Sequence, residues 1–78
     1  MRLVSWNVNK REFMVEFSSR DLDRLSDWEC GGMLIEEDLM DMGFVLNFDW
    51  IDADILIFGC TSEEDMVHAL SHIEEIVS

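Results

Sequence analysis

Apolar and polar residues alternate near both ends of the chain. Across residues 2–8, Val4, Trp6 and Val8 fall on one side and Leu3, Ser5 and Asn7 on the other; across residues 11–17, Phe13, Val15 and Phe17 share a side. Period-two alternation of β-branched and aromatic residues predicts strands. Asn9-Lys10 between the runs predicts a tight hairpin turn, because Asn tolerates positive φ. Residues 44–50 repeat the pattern, with Phe44, Leu46, Phe48 and Trp50 against Val45, Asn47 and Asp49. Residues 54–60 are apolar on both faces, Ile55 and Ile57 against Leu56, Phe58 and Cys60. A strand with two apolar faces belongs in the middle of a sheet. Asp52-Ala53 is the expected turn of this second hairpin.

Helical spacing fills the rest. Ser18-Ser19-Arg20-Asp21 supplies a hydroxyl cap and an acid for a first turn. Leu22, Leu25 and Trp28 follow on one face, and Gly31-Gly32 ends the helix. In residues 33–42, Ile35, Leu39 and Met42 share a face and Gly43 follows, which predicts a short helix; a strand at 33–35 leading into a turn is the other reading. Thr61 and Glu64 form a capping-box pattern for a last helix. Its apolar stripe is Met66, Ala69, Leu70, Ile73, Ile76 and Val77, with Glu64, His68, Ser71, His72 and Glu75 opposite.

The resulting order is ββα-α-ββα in one domain, residues 1–78. The expected class is α+β: a four-stranded antiparallel sheet made of two β-hairpins, with two to three helices on one face. Seventy-eight residues allow one domain, and a chain of this size buries only about 60–65% of its unfolded surface. The apolar share of 49%, with three Trp, five Phe and six Met, nevertheless speaks for a folded core rather than an acidic tail.

Charge is distributed very unevenly. All five basic residues, Arg2, Lys10, Arg11, Arg20 and Arg24, precede Leu25, together with four acids. The other fourteen of the eighteen acids follow, with no Lys or Arg among them, so nearly all of the net −13 belongs to the later part. Such a segment is repelled by nucleic acid and by anionic membranes. A basic protein surface is the electrostatically favoured partner. No secretion signal or membrane span is apparent. Cys30 and Cys60 are therefore expected reduced and mostly buried in a cytoplasmic protein, with a single disulfide as the alternative.

Candidate chemistry adds little. The segment Leu3-Val4-Ser5-Trp6-Asn7-Val8-Asn9 resembles the opening strand of the exonuclease/endonuclease/phosphatase family, which implies an Asn near a metal at Asn7. The chain is too short for that family's two-sheet sandwich and lacks its downstream Glu, Asp and His motifs, so no role is carried over. His68 and His72 stand four apart, as a helical metal pair would, but both fall among acids on the polar face with no Cys nearby in sequence, and a solvated helix face is the default reading. The Asp49–Asp54 stretch lacks the Gly and terminal Glu of a calcium loop. No base in sequence activates either Cys. No catalytic residue, metal or cofactor is assigned.

Uncompensated acids repel one another and destabilise a compact state with little stability to lose; that cost is easiest to understand if the field is used. The expectation is a small acidic inhibitor that binds a basic, nucleic-acid-binding protein or nuclease complex, its carboxylates standing in for phosphates. In composition it is similar to phage-encoded anti-CRISPR and anti-restriction proteins. The expected contact residues are Glu36, Glu37, Asp38 and Asp41, then Asp49, Asp52 and Asp54, with Trp28 and Trp50 as apolar anchors or core residues. An immunity or antitoxin protein against a basic toxin is the alternative. A homodimeric module joined through Met33, Met40 and Met42 is another. A solvated acidic face without a partner and halophilic adaptation are the readings without a target. If the acidic segments share one surface, the inhibitor reading gains; if they scatter over opposite sides, the field has no single direction and the solvated face is to be preferred.

Overall fold

The computed structural model describes residues Met1–Ser78. Strands β1 (Arg2–Asn7), β2 (Glu12–Glu16), β3 (Asn47–Asp52) and β4 (Ile55–Gly59) and helices α1 (Ser19–Trp28), α2 (Ile35–Asp41) and α3 (Glu63–Val77) follow the expected ββα-α-ββα order. The strands form one antiparallel sheet in the order β1-β2-β4-β3, so the doubly apolar β4 is central as predicted. One face carries the helices. From β2, Phe13 and Val15 point into it, from β4, Leu56 and Phe58, and α3 closes over them with Met66, Ala69, Ile73 and Val77. Phe13 and Phe58 are partners in register, their ring centroids 5.2 Å apart, and both are 0% exposed. Trp6 extends this aromatic row from the edge, 5.6 Å from Phe13.

Both edge strands are bulged. In β1 the register shifts between Leu3 and Ser5, leaving Val4 as the extra residue; in β3 it shifts between Trp50 and Asp52, leaving Ile51. Strict alternation therefore misplaces part of each edge: Leu3, opposite the buried Val15, lies on the same face as Trp6, not opposite it. Bulges of this kind blunt exposed sheet edges. The first hairpin turns through Val8–Arg11, a longer loop than Asn9-Lys10 alone, with Arg11 at φ 55°. Asn7 Oδ1 accepts from Lys10 N at 3.1 Å, so this side chain shapes the turn. The second hairpin turns at Ala53-Asp54, one residue later than expected, because the Ile51 bulge keeps Asp52 paired with Ile55.

Residues 44–46 precede β3 instead of starting it. Phe44 N and Val45 N donate to Leu39 O at the end of α2. Val45 thereby enters the core while Leu46 is left exposed, reversing the alternation. The short helix prevails over a strand at 33–35: Gly31 and Gly32, at φ 63° and 83°, make a two-residue turn between the bridge partners Cys30 and Met33.

The helix starts rest on side-chain caps. Ser18 Oγ accepts from Asp21 N at 3.1 Å, and Asp21 Oδ2 accepts from Ser18 N at 2.9 Å, a reciprocal capping box. The Met1 amino group lies 2.6 Å from the same Oδ2. Burial pushes the Asp21 pKa up, but the hydrogen bonds from the Met1 amino group and from Ser18 outweigh it and hold the carboxyl below its usual range. Asp21 thus contributes stability above about pH 4, and loses it as pH falls through the lowered value. At α3 the cap is Ser62 and not Thr61: Ser62 Oγ accepts from Asp65 N at 3.2 Å.

The two thiols are both free but differ in setting. Cys60 is buried, whereas Cys30 is exposed on the turn after α1, contrary to the expectation for both. Burial, with the charge of Asp65 added, pushes the Cys60 thiol up to about 11. Brief treatment of the native protein with N-ethylmaleimide at pH 8 is expected to add one label, on Cys30, and two labels in denaturant. Mass spectrometry of the labelled chain checks this; rapid labelling of native Cys60 would contradict its burial.

Candidate interaction surface

The face of the sheet away from the helices is bare. Alternation directs Glu12, Met14 and Glu16 of β2 onto it, because Phe13, Val15 and Phe17 face the core. Pairing registers place Ser5, Met14, Ile57 and Asp49 in one row across the four strands. A second row is Arg2, Glu16, Ile55 and Asp52; a third is Asn7, Glu12, Gly59 and Asn47. Met14, Ile55 and Ile57 form a half-exposed apolar centre. Glu12, Glu16, Asp49 and Asp52 stand around it against one base, Arg2, whose Nη2 is 2.9 Å from Glu16 Oε1. The Ile51 bulge matters here, since it rotates Asp52 onto the same face as Asp49.

The acids of the middle segment lie elsewhere, on the helix layer. Glu37 and Asp41 are exposed on α2. Asp38 is engaged, its Oδ2 2.8 Å from His72 Nε2 of α3. Glu36 departs most from expectation: it is 3% exposed, buried beneath β3, and its Oε1 accepts from Trp50 Nε1 at 2.9 Å. Trp50 also packs 6.1 Å from Phe17 but stays 40% exposed. Trp28 is half-buried, its ring edge-on to His72 at 6.0 Å. Asp54 sits in the second hairpin turn, lining an open depression of about 500 Å³ with Arg2, Glu16 and Ser18.

The candidate acids therefore do not share one surface. Asp49 and Asp52 occupy the bare face, and the α2 acids with Trp28 occupy the helix side. Glu12 and Glu16 join Asp49 and Asp52, and counting acids by cluster missed them. The signal was present in the alternation, because residues that alternate with the core-facing Phe13, Val15 and Phe17 must point outward. The His pair divides as well. His68 stacks on Phe44 at 5.2 Å, with Nε2 3.6 Å from Glu64 Oε1, while His72 turns toward Asp38 instead of into solvent. No group of three or more His, Cys, Asp or Glu residues is gathered as metal ligands would be. No helix is long and apolar enough to cross a membrane. Comparison of the chain with protein-family models, curated proteins and solved structures gave no match.

Proposed function

We propose that the chain is a small, non-enzymatic, acidic inhibitor that covers the basic, nucleic-acid-binding surface of another protein with its bare sheet face. The expected acids scatter over both sides of the sheet, which by itself weighs toward a solvated surface without a partner. What carries the inhibitor reading is the narrower ring of Glu12, Glu16, Asp49 and Asp52 around Met14, Ile55 and Ile57. An apolar centre within a polar rim is the usual anatomy of a protein interface. Carboxylates at the rim select bases, speed encounter and exclude acidic partners. Paired strands also fix the spacing of the Cα atoms that carry these carboxylates. A second copy of the chain is a poor occupant, because self-pairing would bring four acids and one base, Arg2, against the same set, a net repulsion.

The target class is a nuclease complex or another nucleic-acid-binding protein, as for anti-CRISPR or anti-restriction proteins. The site of action is then the cytoplasm, that of the host if the chain is phage-encoded. An immunity protein covering a basic toxin would use the same face. Capture of partners at low salt, followed by their identification, tests the reading. The expected partner is a nucleic-acid-binding protein. Its release should rise steeply between about 50 and 200 mM salt, and duplex DNA or RNA should compete for it. A partner retained equally with and without salt and nucleic acid would defeat the proposal.

A further inference from the structure

A second recognition element lies on the other side of β3. Leu22 and Leu25 of α1, Leu34 and Ile35 at the start of α2, and Trp50 form the apolar walls of a cleft of about 240 Å³. That is smaller than an ordinary small-molecule pocket, which runs from about 300 Å³ upward, and suits one side chain. Glu36 lines it together with Glu29, and no basic residue does. Glu36 is the unusual member. It is 3% exposed, yet its one side-chain hydrogen bond is the neutral donor Trp50 Nε1 on Oε1. A carboxylate offers about four acceptor positions. No buried side-chain polar atom of the chain lacks a partner, so Oε2, which accepts from no group of the chain, is reached by solvent and open to a donor from outside.

We infer that this cleft receives an arginine side chain of the protein partner. The walls match the aliphatic stem, since long cationic side chains bury their methylenes and keep the charged head for polar groups. The head would meet Glu36 through the unoccupied Oε2, with Glu29 adding charge at the rim. Arginine fits better than lysine because its planar fork pairs with carboxylates and stacks on indole, here the exposed part of Trp50. The inference deepens the proposed function, and rests on it for the partner's basic character. It places one specific anchor beside the non-specific field of the bare face, so that β3 carries contacts on both of its sides.

The test needs no partner. Butylguanidinium supplies the stem and the head, butylurea the same shape without charge, and butylammonium a lysine-like head. Each is titrated into the ¹⁵N-labelled chain at constant ionic strength while the indole N–H signals are followed, Trp50 being assigned with Trp50→Phe. Butylguanidinium is expected to shift the Trp50 signal saturably, with butylammonium weaker and butylurea without effect. Glu36→Gln keeps the acceptor for the indole and should weaken binding about tenfold. Glu29→Gln, at an exposed position, should weaken it less, and Glu63→Gln not at all. An unsaturable shift, or equal binding of butylurea, overturns the cleft; equal or tighter binding of butylammonium overturns arginine. If the probe behaves as expected while captured partners ignore salt and nucleic acid, the inhibitor reading fails and the cation cleft stands.

Discussion

Phe58→Ala is expected to cost about 3–5 kcal/mol, the range for deleting a fully buried aromatic ring. Phe58 sits on the central strand, is 0% exposed, and faces Phe13 at 5.2 Å. Removing it opens a cavity in the core cluster that both hairpins and α3 share. A domain of this length has roughly 4–12 kcal/mol in total. The formal charge of −13 puts this one toward the lower part of that range. Most molecules of the variant should therefore be unfolded or close to unfolding at 37 °C. Urea titration followed by far-ultraviolet circular dichroism measures the loss. Leu46→Ala is the control, being 60% exposed and outside the core cluster, and should change stability by less than about 0.5 kcal/mol. A loss below about 1 kcal/mol for Phe58→Ala would mean that the hairpins do not meet as described.

Partner binding is expected to collapse when charge is reversed on the bare face and to survive the same reversal elsewhere. Glu12→Lys with Asp49→Lys adds two units at each site, taking −13 to −9. Glu74→Lys with Glu75→Lys makes an equal change on exposed positions of α3. Both pairs alter the overall field alike, so long-range attraction falls equally. Only the first places cations where a basic partner would dock, and like charges forced together cost several kcal/mol. The first pair should weaken binding about 100-fold or more, the second by less than about tenfold through slower association. Equal losses would show that net charge alone is read and would remove the bare face from the interface.

The bare face and the cleft demand different things of a sequence reader. Alternation around Phe13, Val15 and Phe17 made the outward direction of Glu12 and Glu16 available from the start, because side-chain direction in a strand is a local consequence of backbone geometry. The direction of Asp52 was not available. It depends on the Ile51 bulge, and a bulge reflects how one strand fits its neighbour. The run Phe44-Val45-Leu46 misled for a related reason: two amides captured by Leu39 O bend the chain before the strand can start. Glu36 looked like its neighbours Glu37 and Asp38, three acids opening a short helix. Its burial follows from a tryptophan fourteen residues later that supplies an indole N–H at 2.9 Å.

By itself the sequence determined the element order, the central position of β4 and the confinement of all bases to the first 24 residues. Periodicity and composition are properties of neighbouring residues, and neighbours are what a sequence lists. Only the tertiary structure decided which acids lie together. It divided the carboxylates between the two sides of one sheet, added Glu12 and Glu16 to Asp49 and Asp52, bound Asp38 to His72 and placed Glu36 under Trp50. Those groupings arise where elements distant in the chain pack, and there the free energy of burying or pairing a charge depends on what the other element brings.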